Sequence, residues 1–259
     1  MSDDRSVLPE HQEETFSQQM GRGAPTVQGR TRTLVLLANR GILHLARHWL
    51  ALFNLVVGFY VGLPLLAPVL MHWGYERAGN LIYTLYVPNC HQLPERSFFL
   101  FGQRWVYSLE DLPPEAQGPA QSSTCADCLF RRLQEGPGGR GQGEPLPRRY
   151  FYGNPRIGYK TAFCQRDVAI YGAILLGGLL YGPVRRRLRP LPLRYFLILC
   201  VPLVVDGGAQ LLGLWESPWF NRVLTGSLFG LAAVWLSYPQ VQIAMDELRE
   251  DLERKLAST

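Results

Sequence analysis

The stretch YFLILCVPLVVDGGAQLLGLW, residues 195–215, decides the fold class, because it is long enough to cross a bilayer and its one formal charge is Asp206. About 20 predominantly apolar residues are needed to span the hydrocarbon core of a membrane. Three other stretches, residues 49–71, 168–184 and 222–238, are comparably apolar. The sequence therefore predicts an all-α integral membrane protein with four transmembrane helices.

The overall composition agrees with a membrane protein. Charged residues make up 18% of the chain, below the quarter or so that is usual for soluble domains. The sequence has no glycine-rich phosphate-binding loop of the kind found in nucleotide-binding enzymes. Its basic residues lie near the ends of the apolar stretches rather than in one binding patch. These features argue against a soluble enzyme and against a nucleic-acid-binding protein, and they make the lipid bilayer the first expected partner.

The orientation follows from the arginines beside the predicted spans, because Lys and Arg favour the cytoplasmic side. Several arginines precede the first span, and five more lie in residues 185–194, between the second and third spans. The link at residues 216–221, ESPWFN, carries no basic residue. We therefore expect both termini in the cytoplasm, the protein in the inner cell membrane, and residues 72–167 outside. The basic residues of that long segment carry little weight in this rule.

The remaining segments complete the predicted organisation. Residues 1–33 are polar and lack the apolar core of a cleavable signal peptide, so we predict a disordered cytoplasmic tail. Residues 34–48 mix apolar and basic side chains, which is typical of an interfacial amphipathic helix. Residues 72–167 form a long extracytoplasmic loop in this interpretation. Residues 239–259 carry one apolar stripe, which predicts a cytoplasmic amphipathic helix that contacts a surface or a second copy in a homo-oligomer or membrane complex.

Four cysteines, Cys90, Cys125, Cys128 and Cys164, fall in the long loop. Outside the cytoplasm an even number of cysteines favours disulfides, here Cys125 with Cys128 and Cys90 with Cys164. A zinc site is the second alternative, since the CADC sequence is one metal-binding knuckle and the other two cysteines complete a tetrahedral set. His91 would replace one thiolate in a variant of that site. Free or redox-active thiols are the third alternative, and the residues alone do not choose among the three.

Asp206 is the most informative polar residue, because a carboxylate near the middle of a membrane helix costs about 2.5–3.5 kcal/mol on insertion scales. Such a residue needs a partner, and Gln210 lies one turn away on the same helix face. Arg222 begins the fourth span, and Arg166 and Asp167 precede the second. We expect one of these groups to meet Asp206 near the outer ends of the helices.

The stretch NCHQLPERSFF, residues 89–99, places a thiol, an imidazole, a carboxylate and a guanidinium close together. We predict that it caps an outward-facing polar pocket whose floor includes Asp206. The candidates for proton transfer are His91, Asp167 and Asp206. The candidate ligand-binding residues are Glu95, Arg96, Arg166, Gln210 and Arg222.

Four motifs carry a resemblance to a known family: CHQLPERSFFLFG, FCQRDVAIYG, DGGAQLLGLWES and NRVLTGSLFG. In these motifs, which cover roughly residues 80–240 in order, the sequence resembles a prokaryotic multi-pass membrane protein family catalogued as domain of unknown function 2085. The resemblance implies a small multi-pass helical protein and implies no activity. The CADC insertion departs from the compact members of the family, in which the CHQ and RD motifs lie closer together.

Three functional hypotheses follow. The first is a polar site at the outer membrane face, clasped by a metal or a disulfide, that binds or processes a small or lipidic molecule. The second is a membrane thiol-disulfide oxidoreductase coupled to quinone, which four spans and four outer cysteines fit in outline. The third is a non-catalytic scaffold or assembly subunit. No nucleophile–base pair is recognisable in the sequence, so no reaction is named.

Overall fold

The computed structural model describes residues 29–118 and 148–257. The described residues fall into two compact units, one within residues 48–118 and 148–247 and the other formed by residues 29–47 together with 248–257. The described part contains five α-helices. They are α1 (Arg30–His72), α2 (Glu76–Tyr86), α3 (Gln165–Val184), α4 (Leu193–Leu211) and α5 (Trp219–Ala257).

Four of these helices, α1, α3, α4 and α5, are long and apolar enough to cross a membrane. Large apolar side chains are exposed along them, including Leu176, Leu179, Ile198 and Val204. Surface of this kind is unfavourable in water and suits the hydrocarbon of a bilayer. The predicted fold class, an all-α membrane protein with four transmembrane helices, is confirmed.

The boundaries differ from those expected. Helix α1 runs without a break through the predicted interfacial segment (34–48) and first span (49–71), and α5 likewise continues past Pro239. These continuous helices do not show where the membrane begins, so those limits stay predictions. Helix α4 stops at Leu211, short of the predicted end at residue 215. Gly213 adopts a left-handed φ of 68° just beyond the helix, a conformation that commonly terminates helices.

The segment predicted as a long loop is partly ordered. Besides α2 it contains three short strands, β1 (Ser97–Leu100), β2 (Gly153–Asn154) and β3 (Gly158–Cys164). They form an antiparallel sheet in the order β1-β3-β2, with Phe99 opposite Lys160. Gly158 has a φ of 84°, in the tight turn between β2 and β3, where a side chain would be strained. This small sheet was not predicted.

Two apolar clusters lie at different levels of the 48–247 unit. One joins α1, α2 and β3 through buried residues that include Ala67, Tyr83, Tyr86 and Phe163. The other joins α1, α3 and α5 through Trp49, Tyr181, Val234 and Tyr238. The first cluster adjoins the start of α3 and the second adjoins its end, so the two mark opposite ends of that helix.

Helices α3 and α5 pack closely because small residues line their contact. A Cβ atom added at Gly230 would lie 2.5 Å from the carbonyl oxygen of Ile170, and one at Gly226 would lie 2.9 Å from that of Arg166. Glycines four residues apart allow membrane helices to approach closely. This contact sets the start of α5 beside the start of α3.

In the second unit, Arg47 forms an ion pair with Glu253 at 2.9 Å, and Leu43, Ala46 and Leu252 are buried. Most of the predicted cytoplasmic tail, residues 1–28, lies outside the described residues.

Candidate functional site

The candidate site is built around the point where β3 passes directly into α3. Cys164 is the last residue of the strand and the N-cap of the helix. The backbone N–H of Asp167 points toward its sulfur, with N and Sγ 3.5 Å apart. An N-cap acceptor satisfies one of the amide donors left free in the first turn of a helix. The sulfur of Cys164 therefore lies at the positive end of α3.

Cys90 reaches the same point from the turn that follows α2. Its backbone N–H donates to the carbonyl of Tyr86 at 3.1 Å, and the residue is buried. The backbone N–H of Cys164 donates to the Cys90 sulfur at 3.2 Å, while the Cys164 sulfur lies 3.2 Å from Oδ2 of Asp167. The structure thus brings together Cys90, Cys164 and Asp167, which we call the thiol centre. Both cysteines are free thiols.

The thiol centre places two thiols and one carboxylate close together. One donor atom from each of Cys90, Cys164 and Asp167 lies within 4.8 Å of the others. The side-chain hydrogen bond with Cys164 and burial, with a smaller contribution from the Asp167 carboxylate, raise the pKa of the Cys90 thiol well above its ordinary value. In the absence of a cation, the Cys90 thiol therefore keeps its proton.

Asp206 is paired with Arg166, the second residue of α3, through Oδ2 and Nη2. It is 4% exposed and is the one residue of α4 that is buried. Gly207 makes room for its partner, since a Cβ there would lie 3.3 Å from Nη1 of Arg166. The sequence offered Arg166 and Arg222 as partners, and the structure selects Arg166.

Arg222 instead joins α5 to α3 and to the PER turn. Its Nη1 donates to Oε1 of Gln165 at 3.1 Å and to the backbone carbonyl of Glu95 at 3.4 Å. Its Nη2 lies 3.8 Å from Glu216, and the residue is 4% exposed. The Gln165 amide in turn donates to the carbonyl of Ser97 at 3.1 Å. A buried cation thus connects α3, α5 and β1.

Two further ion pairs surround this arginine. Arg148 contacts the buried Glu95 carboxylate at 3.2 Å, and Arg96 contacts Glu216 at 3.4 Å. We use the name rim cluster for the polar residues where α3 begins, α4 ends and α5 begins. Its members are Glu95, Arg96, Arg148, Gln165, Arg166, Asp206, Gln210, Glu216 and Arg222.

The rim cluster has more buried donors than buried acceptors without partners. Among the described residues, no hydrogen-bond partner reaches the buried Nε atoms of Arg96, Arg148, Arg166 and Arg222, or Nε2 of Gln210. The corresponding unpaired acceptors are Oε2 of Glu95 and Oδ1 of Asp206. Since buried polar groups are almost always hydrogen-bonded, this imbalance calls for an acceptor-rich group.

Lys160 is one of the basic residues of the segment that was predicted to be an outer loop. It is completely buried, and its Nζ donates to the carbonyls of Gln92 and Arg149. Gln92 adopts a left-handed φ of 52° and donates to the carbonyl of Tyr83 at 2.8 Å. Lys160 therefore fastens the CHQ turn to β3, and its charge serves packing rather than membrane orientation. Lys160 pairs across the sheet with the apolar residue Phe99, which lies 61 residues earlier. That pairing is the sequence signal that would have placed Lys160 in a buried strand.

Other predicted residues fall outside this arrangement. The side chain of His91 is exposed, whereas its neighbours Cys90 and Gln92 are buried. Cys125 and Cys128 lie outside the described residues. Gln165, Arg148 and Glu216 belong to the rim cluster but were not singled out from the sequence, because their importance comes from contacts between distant segments.

Comparison with known proteins supports the membrane assignment. Residues 146–236 match the family described as "Predicted membrane protein (DUF2085)". This match confirms the resemblance, over a shorter range than the motifs suggested. The chain is also similar to the uncharacterized protein MJ1492 of Methanocaldococcus jannaschii, with 26% identity over 191 residues, which are 70% of this chain and 84% of that protein. No solved structure matches the chain.

Proposed function

We propose that the rim cluster binds an oxyanion, the phosphate or carboxylate of a small or lipidic molecule, at the outer face of the cell membrane. The observation that carries this proposal is the set of buried guanidinium and amide donors that lack acceptors. An unsatisfied buried donor costs about 1–3 kcal/mol. A phosphate or carboxylate supplies several acceptor oxygens at once, and arginine matches them in pairs.

The charges of the rim cluster favour a bound group between the arginines. Arg96, Arg166 and Arg222 are all cations, and the Glu216 carboxylate contacts two of them, Arg96 at 3.4 Å and Arg222 at 3.8 Å. Each arginine already contacts a carboxylate or an amide oxygen through its terminal nitrogens. Their Nε atoms are buried and have no hydrogen-bond partner among the described residues. An anion placed among them would reduce the repulsion between the arginines and satisfy their free donors.

The arginine-rich link supports an outward-facing site. Helix α3 begins at the rim cluster and ends beside residues 185–194, which contain five arginines. Lys and Arg in short links favour the cytoplasm, so the opposite end of α3 faces outward. Both termini are then cytoplasmic. Lipid headgroups and solutes outside the cell would have access to the rim.

The thiol centre closes the site in this proposal. It fastens the turn carrying Cys90 to Cys164, the N-cap of α3, which lies two residues before Arg166. The PER turn, which supplies Glu95 and Arg96, follows that turn directly. Loss of the clasp would loosen these two residues without removing any ligand contact. We assign binding to the rim cluster and assign no reaction.

Lipid retention tests the proposal. The full chain would be placed in nanodiscs that contain phosphatidylglycerol and phosphatidylcholine, released, and weighed by native mass spectrometry. We expect the wild type to retain phosphatidylglycerol and the Arg222→Gln variant to lose it. Arg187→Gln is the matched control, because it removes one charge from an exposed position at the other end of α3.

A second arm distinguishes a lipid from a solute. Titration with inorganic phosphate in detergent should raise the thermal unfolding temperature of the wild type if the ligand is a free anion, and leave it unchanged if only lipid binds. Retention of the same lipid by both Arg222→Gln and Arg187→Gln, with no response to phosphate in either, would contradict the proposal. That outcome would favour the scaffold hypothesis.

A further inference from the structure

We propose that the thiol centre is a zinc site, with the sulfurs of Cys90 and Cys164 and the carboxylate of Asp167 as its three protein ligands. The three donors come from two segments distant in sequence, the turn after α2 and the junction of β3 with α3. Sulfur and carboxylate donors together match zinc among the common protein metals.

The geometry requires little movement to hold the ion. Zinc binds thiolate sulfur at about 2.3 Å and carboxylate oxygen at about 2.0–2.2 Å, so two donors of one tetrahedral ion lie about 3.5–3.8 Å apart. The Cys164 sulfur and Asp167 Oδ2 are already 3.2 Å apart, and all three donors lie within 4.8 Å of one another. The largest of these separations exceeds the tetrahedral value by about 1 Å.

The backbone around the sulfurs suits thiolate ligands. The N–H groups of Cys164 and Asp167 point at the sulfurs of Cys90 and Cys164, at 3.2 and 3.5 Å. Hydrogen bonds of this kind orient metal ligands and stabilise their negative charge. Cys164 is also the N-cap of a helix of 20 residues, so its sulfur lies at the positive end of the helix dipole.

Asp167 favours a metal over a disulfide between the two cysteines. Among the described residues, the hydrogen-bond donor to its Oδ2 is the Cys164 thiol. A disulfide would remove that donor and leave the carboxylate facing sulfur lone pairs. A zinc ion displaces the thiol protons to solvent and takes all three groups as ligands. Three protein ligands leave one coordination position for water or another ligand.

This inference does not rest on the proposed function. The zinc ligands belong to the thiol centre, and the oxyanion donors belong to the rim cluster. A variant that loses lipid but keeps zinc would bear only on the oxyanion site. A variant that loses zinc but keeps lipid would bear only on the thiol centre.

Metal analysis of the full detergent-purified chain tests the site. The protein would be reconstituted with zinc, separated from free metal, and analysed for zinc per chain. We expect one zinc per chain in the wild type and in the Cys125→Ser/Cys128→Ser variant, and no zinc bound at this centre in Cys164→Ser in the same background. Asp167→Asn, which preserves shape, should weaken binding by at least about tenfold. Cys200→Ser is the matched cysteine control and should keep the ion.

Cobalt gives a second readout, which reports the type of ligand and the geometry of the site. Replacement of zinc by Co²⁺ in the Cys125→Ser/Cys128→Ser protein should produce the near-ultraviolet sulfur-to-cobalt charge-transfer band and the intense visible bands of a tetrahedral site. Asp167→Asn should shift the visible bands. Absence of metal at micromolar free zinc, metal content unaffected by Cys164→Ser, or a Cys90–Cys164 disulfide in freshly alkylated protein would overturn the proposal. Oxidation of these two thiols by added quinone would also overturn it, in favour of the oxidoreductase hypothesis.

Discussion

The two ends of helix α3 bury different kinds of side chain. At its start, the rim cluster holds ion pairs such as Arg166 with Asp206, and several buried donors there have no acceptor. At its end, Trp49, Tyr181 and Tyr238 pack with ring centroids 5.5–6.5 Å apart and largely edge-on. We call the latter the aromatic end. Its buried polar atoms include the Tyr181 and Tyr238 hydroxyls, which have no partner among the described residues.

The comparison separates packing from binding. Aromatic pairs contribute about 0.5–1.5 kcal/mol beyond the area that they bury, and they need no ligand. A buried ion pair is often no more stable than apolar side chains of the same volume. The aromatic end is therefore explained by stability alone. Stability alone does not explain the charges of the rim cluster. We therefore assign the proposed binding function to that end.

Breaking the ion pair between Arg166 and Asp206 should give the largest loss of stability. Asp206→Ala leaves the guanidinium buried without its carboxylate, and the expected loss is about 3–5 kcal/mol of unfolding free energy. Denaturant-induced unfolding in detergent micelles measures this loss. Val204→Ala is the control, since Val204 is exposed on the same helix. Equal losses in the two variants would show that the pair contributes nothing specific.

A change in the close contact between α3 and α5 should have the second-largest effect on stability. Gly230→Ala places a Cβ 2.5 Å from the carbonyl oxygen of Ile170, and overpacking of this kind costs about 1–3 kcal/mol. Gly172→Ala on the facing helix meets nothing within 4 Å and should leave stability unchanged or slightly raised. The same unfolding assay checks both. If Gly172→Ala proves as harmful as Gly230→Ala, the close approach of α3 and α5 is wrong.

Removal of one tyrosine hydroxyl on each side of the comparison should have the smallest effect on stability. Tyr86, on the rim side, donates to the carbonyl of Tyr60 at 2.8 Å, so Tyr86→Phe should cost about 1 kcal/mol. Tyr238, at the aromatic end, has no such partner among the described residues, so Tyr238→Phe should change stability by less than about 0.5 kcal/mol. Thermal unfolding of the two matched variants would reveal the difference. A larger loss in Tyr238→Phe would mean that its hydroxyl is bonded.

The sequence was enough to predict four apolar helices and that Asp206 needs a partner. Uninterrupted apolar stretches report membrane helices directly, and an acid inside one of them requires a partner. Which arginine met it was not predictable, because Arg166 and Arg222 both begin helices at the same end. The choice depends on how closely Gly207 lets Arg166 approach α4, and that is a property of packing.

The ordered part of the outer segment was harder to foresee. Strand β1 pairs with β3, more than 50 residues later, so no local hairpin pattern announces it. Lys160 lies on that strand, where a charge would ordinarily be taken as exposed. The convergence of Cys90 on Cys164 was one of the alternatives from the sequence, and the structure brings the residues together as free thiols. Asp167 as a neighbour of both sulfurs came from the structure.

The central claim is that the charges of the rim cluster are retained for binding rather than for stability. The direct measurement is phosphatidylglycerol bound per chain, by native mass spectrometry, in the double variant Arg166→Met/Asp206→Leu. Apolar replacement of a buried pair is often neutral or stabilising, so this variant should stay folded. We predict that it unfolds at or above the wild-type temperature and retains no acidic lipid. A folded variant that retains the lipid at the wild-type level would contradict the account.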